Sequence, residues 1–284
     1  MNYLIINADD FGLCESVNDS ILELFLDKKI TSFTFMVNMY GSKDAVKKLN
    51  ELKIDNIPVG LHFNIVRGKS LIGKSTLTDQ NGYFLGRNKL FKKILLGKVK
   101  KLDIKSEALA QLNFLKINGL NPSHIDSDNH SLSNPFVFNS LKNFIREEEL
   151  NCRKILPLKF VNCFKKPKRF LQQCYLIGTN KINNYENIKS NDFITSIYDS
   201  MDNRIDANTY YNLLKTNKIN SVIELMVHPY TKSKKLLEIY RKPNEINFLE
   251  NCDKEFKILK DINTNNFNDY ILTNFNFNFL SESK

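Results

Sequence analysis

The chain has 284 residues, 42% hydrophobic and 25% charged, with a formal net charge of +10. These proportions are those of an ordinary soluble globular protein, and the length suits one large α/β domain or two small ones. The lysines are scattered and no aromatic-interleaved arginine patch occurs, so the positive charge reads as solvated helix faces and not as a nucleic-acid surface. No apolar run approaches a membrane span. The opening "MNYLIINADD" is too short for a signal-peptide core and lacks a basic lead, which makes the cytoplasm the expected compartment. The five cysteines, Cys14, Cys152, Cys163, Cys174 and Cys252, are odd in number and form no CxxC, a pattern of reduced thiols.

In chain order, "YLIINA" (3–8) reads as a buried strand. Residues 16–29 follow with Val17, Ile21, Leu24 and Phe25 at helical spacing. The β-branched and aromatic run 31–38 predicts a second strand. Residues 42–53 predict a helix with Ser42 as its N-cap, and 57–65 a third strand. A long polar, Gly-rich excursion covers 66–86. Helices are expected at 87–96 and 103–118, the second capped by Asp103 and stopped by Gly119 and Pro122. Then come a strand at 123–128, a helix at 135–149 with Pro135 in its first turn, and a fifth strand at 152–157. The stretch 158–190 is basic and hard to read, with helix expected near 166–176. A strand at 192–199, a helix at 206–218 and a buried strand at 221–229 precede a mostly helical tail (231–284) with a late strand in "DYILTNF".

Strand and helix alternate from end to end, with no internal repeat and no convincing linker. One domain over 1–284, built on a parallel sheet with crossover helices, is expected.

Polar residues collect at the carboxyl ends of these strands, where parallel β/α folds bind their ligands. The first strand ends in Asp9 and Asp10, the second in Asn38, and the third carries His62. The fourth runs into Asp126 and Asp128 with His130 just beyond, the fifth begins with Arg153, and the last ends in His228. Three of the four histidines thus fall on one rim. Adjacent carboxylates repel and resist burial. A lone Asp-Asp before glycine is most often a solvated turn, and a lone histidine in an apolar strand is usually a core residue. Together, however, carboxylate oxygens and imidazole nitrogens can hold a divalent cation. One carboxylate can then ligate while its neighbour takes a proton from activated water.

"INADDFGL" (6–13), "GLHFNI" (60–65), "HIDSDNH" (124–130) and "IELMVHP" (223–229) resemble, in order, the signature segments of YdjC-like carbohydrate deacetylases. "NGYF" (81–84) and "AQLNFL" (110–115) add to the resemblance, which spans roughly residues 3 to 250. It implies an irregular, incomplete (β/α) barrel and removal of the acetyl group from an N-acetylated sugar, such as diacetylchitobiose, with one divalent metal. By the same resemblance Asp9 is the general base, Asp10 and His62 are metal ligands, and His228 is the general acid. Arg153 matches a family arginine with a substrate-binding role. Asn38 and Asp126, on the same rim, are read as further substrate contacts. A homodimer is allowed, with neither nucleic acid nor membrane as partner.

The fourth segment departs from the family's D-S-H-x-H: Asp128 stands where the first histidine, a metal ligand, is expected. An Asp/His/Asp set is oxygen-rich, which moves preference toward Mg²⁺ or Mn²⁺ and away from Zn²⁺. Alternatively, His130 takes over as third ligand. Leu132 replaces a further family histidine. Two rival readings stand beside the deacetylase: a metal-dependent barrel hydrolase of another substrate, such as a phosphoester, and a sugar-binding descendant with impaired catalysis. The excursion 66–86 and the basic region 158–190, with Lys165, Lys166, Lys168 and Arg169, are expected to shape the choice of sugar.

Overall fold

The computed structural model describes residues 1–54, 56–201 and 205–277. β1 (Asn2–Phe11), α1 (Glu15–Leu26), β2 (Ser32–Phe35), α2 (Ser42–Leu52) and β3 (Val59–Phe63) come first. The excursion 66–86 leads to α3 (Arg87–Leu95), α4 (Lys101–Ile117) and β4 (His124–Ser127). A 3-10 segment (Asp128–Ser133), α5 (Pro135–Glu147), β5 (Asn151–Cys152), α6 (Pro167–Ile182) and β6 (Phe193–Thr195) follow. α7 (Ala207–Leu214), β7 (Val222–Val227), α8 (Lys234–Ile239), α9 (Pro243–Asp261) and β8 (Tyr270–Thr273) complete the order.

All the strand pairs are parallel, in the order β5-β4-β3-β2-β1-β7-β6, with β8 beside the start of β1. The two ends of this path, near β5 and β6, meet through one isolated bridge between Pro157 and Ile194 instead of a ladder. The result is the expected irregular, incomplete α/β barrel. No helix among the described residues is long and apolar enough to cross a membrane.

Side chains alternate along a strand, and β1 uses that period to separate two environments. Leu4, Ile6 and Ala8 are fully buried in the main apolar core with α1 residues Val17 and Ile21. Ile5, Asn7 and Asp9 face the barrel interior, which is layered. Ile5 packs with Val222, Phe275 and Phe277 at the floor. Above it the Asn7 carboxamide accepts from Ser32 Oγ at 2.6 Å and lies 3.3 Å from His124 Nε2. His124 stacks on Phe275 with ring centroids 4.0 Å apart, and a Cβ at Gly60 would lie 2.5 Å from its ring, so glycine is required there. Asp9 forms the next layer.

Several boundaries differ from expectation. Ser42 lies within α2, whose N-cap is Gly41. Asp103 lies within the first turn of α4 instead of capping it. Its Oδ2 accepts from the Thr76 N–H and hydroxyl, tying down the excursion. β5 is two residues long because the Asn191 side chain takes both the N–H and the C=O of Lys154, where a longer strand would continue. β6 stops at Thr195, where a 3-10 turn begins and the Ser196 N–H donates to Asp199 Oδ2 at 3.2 Å. α6 runs well past the expected 166–176, whereas α7 ends short of 218.

Candidate active site

The paired aspartates are placed by a β-bulge. Ala8 pairs with Phe33 and Phe11 with Phe35, so Asp9 and Asp10 together oppose one residue of β2. Asp10 adopts φ 71°, and Gly12 follows at φ 92°, where a Cβ would meet the Phe35 ring at 2.5 Å. An unbulged strand would send adjacent side chains to opposite faces. Here both carboxylates line one cavity of about 390 Å³, with His62, Asp128, His130 and His228. The segment after β4 makes a similar turn, with Asn129 and His130 both at φ 53°.

Arg153 lies beneath the cavity and closes a charge network. It grips Asp9 through two nitrogens at 2.6 and 2.7 Å, reaches Asp126 at 2.6 Å and meets Glu224 at 2.5 Å. All four side chains are nearly inaccessible. Burial would raise the Asp9 pKa, but the charge and hydrogen bonds of Arg153, together with His62 and His228, more than offset it and hold the carboxyl well below the ordinary carboxylate range. Burial raises Glu224 to about 7 against the opposing pull of Arg153. The arginine is not among the side chains that line the cavity; its guanidinium is turned to Asp9, Asp126 and Glu224.

Two overlapping trios bring ligand-capable atoms within 4.8 Å of one another: Asp9, His62 and Asp126, and Asp10, His62 and Asp128. Their surroundings separate them. Asp9 and Asp126 already share the Arg153 guanidinium. Asp126 also accepts from Thr34 at 3.0 Å and takes His62 Nδ1 at 2.7 Å. In the second trio, Asp10 Oδ1 is buried without a hydrogen-bond partner, 3.1 Å from His62 Nε2 but out of hydrogen-bonding alignment. Its other oxygen accepts from the Tyr230 hydroxyl. A carboxylate on Nδ1 that leaves Nε2 free of a hydrogen bond is the usual support of a metal-ligating histidine. Burial disfavours the imidazolium, yet Asp126 and Asp10 at the two ring nitrogens push the His62 pKa well above its ordinary value. A proton and a divalent cation are thus alternatives for the gap between Asp10 and His62, and the donor set fits a metal.

His228 crosses the cavity from this trio, its Nε2 3.9 Å from Asp9 Oδ2 and its Nδ1 buried without a partner. Tyr198, Tyr230 and Phe248 surround its ring. Its backbone N–H donates to Glu255 at 2.7 Å, which also accepts from Tyr210. His130 lines the cavity but joins neither trio. Burial and the charges of Arg153 and Arg169 draw it down to about 3, so its ring is neutral. Asn38 is set apart from the cavity, donating to the Arg67 and Lys69 carbonyls. Of the two regions expected to shape specificity, 66–86 supplies Arg67 to the cavity wall and 158–190 supplies Arg169.

Sequence reasoning missed Arg67, Glu224, Tyr230 and Glu255. Glu224 had a visible signal, a charge inside the apolar run "VIELMV". Tyr230 directly follows the His-Pro pair, whereas Arg67 sits in an aperiodic stretch and Glu255 is one of several acidic residues of α9, with nothing in the sequence to mark it as the buried one.

A parallel barrel with acid, base and metal-capable side chains gathered at one end defines a β/α-barrel hydrolase-type centre. The chain belongs to the YdjC-like protein family, whose model matches residues 3–268. It is 30% identical to a carbohydrate deacetylase of Clostridium beijerinckii over 94% of this chain and 99% of that one. A carbohydrate deacetylase of Vibrio cholerae is 39% identical over 46% of this chain and 50% of its own length. A chitooligosaccharide deacetylase of Yersinia enterocolitica is 35% identical over 53% and 58%. The fold matches a crystal structure from Enterococcus faecalis, described as a candidate cellobiose-phosphate cleavage protein. The TM-score is 0.73 at 20% identity, over 97% of this chain and 98% of that one.

Proposed function

We propose that this chain is a metal-dependent carbohydrate N-deacetylase, a hydrolase that cleaves the acetamide of an N-acetylated sugar to acetate and an amine. The observation that carries the reading is the orphaned Asp10 Oδ1 facing His62 Nε2, with Asp9 and His228 beside it in the same cavity. Asp10, His62 and Asp128 would hold one divalent cation. Their oxygen-rich character favours Mg²⁺ or Mn²⁺ over Zn²⁺. When bound, that cation supplies Lewis-acid polarisation of the acetyl carbonyl and acidifies the attacking water.

The chain's own groups do the rest. Asp9 accepts the proton of the attacking water. Arg153 makes it a weak base, so it depends on water acidified nearby, but the same arginine fixes its direction. His228, held through its backbone by Glu255, delivers a proton to the departing nitrogen. Tyr198 and Phe248 offer ring surface against which a sugar can pack.

The test is acetate release from a panel of N-acetylated mono- and oligosaccharides by protein loaded with Mn²⁺, Mg²⁺ or Zn²⁺. Acetate and free amine in equal amounts from one sugar are expected. Sugar binding without hydrolysis under any metal would instead establish the binding-protein reading, and release of phosphate from phosphoesters the other.

A further inference from the structure

Asp128 does not stand alone at the third ligand position. Arg67 Nε donates to its Oδ2 at 2.8 Å and the terminal nitrogen Nη2 to its Oδ1 at 3.2 Å, a two-point pair in which the carboxylate is almost fully buried. Asn129 donates to the same Oδ1 at 2.7 Å. The guanidinium is itself fixed: Nη1 donates to the Tyr240 hydroxyl at 2.9 Å, and the group lies 5.3 Å from the Tyr240 ring centre. Its backbone is clamped as well. The Arg67 carbonyl accepts from both Asn38 and Asn64, and its N–H donates to Asn64 Oδ1. The placement is built by the start of the 66–86 excursion, and it is not a surface side chain settling on a free acid.

An aspartate in place of a histidine adds one negative charge to the donor set, and Arg67 supplies one positive charge at that same atom pair. With His62 neutral, as a metal ligand must be, Asp10, His62, Asp128 and Arg67 together carry the net charge that one carboxylate and two neutral imidazoles would carry. We propose that Arg67 is the built-in counter-cation of Asp128. It holds the third donor in place without a divalent ion and weakens, by competition for the same oxygens, the binding of that ion. This rests on the metal-site reading above. A carboxylate shared with a guanidinium keeps lone pairs for a further partner, but each is less available than in a free carboxylate. Arg67 thereby sets the metal affinity of the site, as a positioning residue acting through Asp128.

The test is calorimetric titration of chelator-stripped protein with Mn²⁺ alone, comparing wild type, Arg67→Gln, Asp128→Asn and the double variant. Arg67→Gln should bind Mn²⁺ about tenfold more tightly; the size is that of other groups touching a metal ligand, and the sign is opposite to theirs because Arg67 competes with the ion for the Asp128 oxygens. In the Asp128→Asn background the same substitution should gain markedly less, because the competed carboxylate is gone. Thermal unfolding provides a second readout. Metal-free Arg67→Gln should melt below wild type, since Asp128 loses its counter-charge, yet gain more on adding Mn²⁺. Wild-type binding with Arg67→Gln unchanged or weaker would overturn the inference while leaving the deacetylase reading intact. No Mn²⁺ binding by any of the four proteins would overturn both.

Discussion

Two trios of the same residue types share one histidine and differ in what occupies their oxygens. Asp9, His62 and Asp126 lie against Arg153, which contacts both carboxylates and takes up Glu224 as well. Asp10, His62 and Asp128 face the cavity, and only Asp128 has a guanidinium; Asp10 keeps a buried oxygen without a partner. Ligand-capable residues within reach of one another therefore do not define a metal site by themselves. Whether the donor atoms are already taken up does: Arg153, Thr34 and His62 occupy the Asp9 and Asp126 carboxylates, whereas Asp10 Oδ1 makes no hydrogen bond.

The largest effect expected from breaking this contrast is at the closed trio. Arg153→Met uncovers three buried carboxylates and should lower the unfolding free energy in urea by at least about 3–5 kcal/mol at neutral pH. A loss under 1 kcal/mol would mean that Arg153 does not hold the three carboxylates in place. Asp9→Asn should leave the fold and the metal affinity largely intact while lowering turnover by roughly 10²–10⁴-fold, the range for a proton-transfer group. If Asp9→Asn abolished metal binding instead, the roles of Asp9 and Asp10 would be exchanged.

Glu255 sharpens the picture on the His228 side. Burial raises its pKa from 4.5 to about 7 against the pull of the His228 N–H and Tyr210. A carboxyl with a raised folded-state pKa contributes stability that is full below about 4.5 and is lost as pH rises through about 7. Glu255→Gln should therefore flatten the fall in stability over that window, by up to about 3 kcal/mol. Urea unfolding at pH 5 and pH 8 measures it, and an identical pH slope in the variant would refute the assignment. The smallest effect is expected at Asn38→Ala, about 1 kcal/mol from the lost bonds to the Arg67 and Lys69 carbonyls. Calorimetric unfolding checks it.

The sequence made the barrel legible because hydrophobic runs and helical spacings alternate from "YLIINA" onward, and the ordered motifs placed Asp9, Asp10, His62, Asp128 and His228 at one end. Other features were hidden for physical reasons. A β-bulge has no compositional mark, so the joint exposure of Asp9 and Asp10 to one cavity could be expected only from their chemistry. Arg153 reads as a rim arginine until its three carboxylate partners, all distant in sequence, are seen around it. Arg67 lies in an aperiodic excursion and is fixed by Asn38, Asn64 and Tyr240, whose convergence depends on tertiary structure. Ser42 and Asp103 show the converse: good cap residues whose helices are capped one and three residues earlier, at Gly41 and Lys100.

Whether the open trio or the closed one holds the metal is decided by titrating chelator-stripped wild type, Asp10→Asn and Asp126→Asn with Mn²⁺ in a calorimeter. About one ion per chain is expected for wild type, loss of that binding in Asp10→Asn, and its retention in Asp126→Asn with affinity lowered by about 10–100-fold, because His62 loses the partner on its Nδ1. Retention in Asp10→Asn together with loss in Asp126→Asn would contradict this expectation and put the ion in the Arg153 cluster.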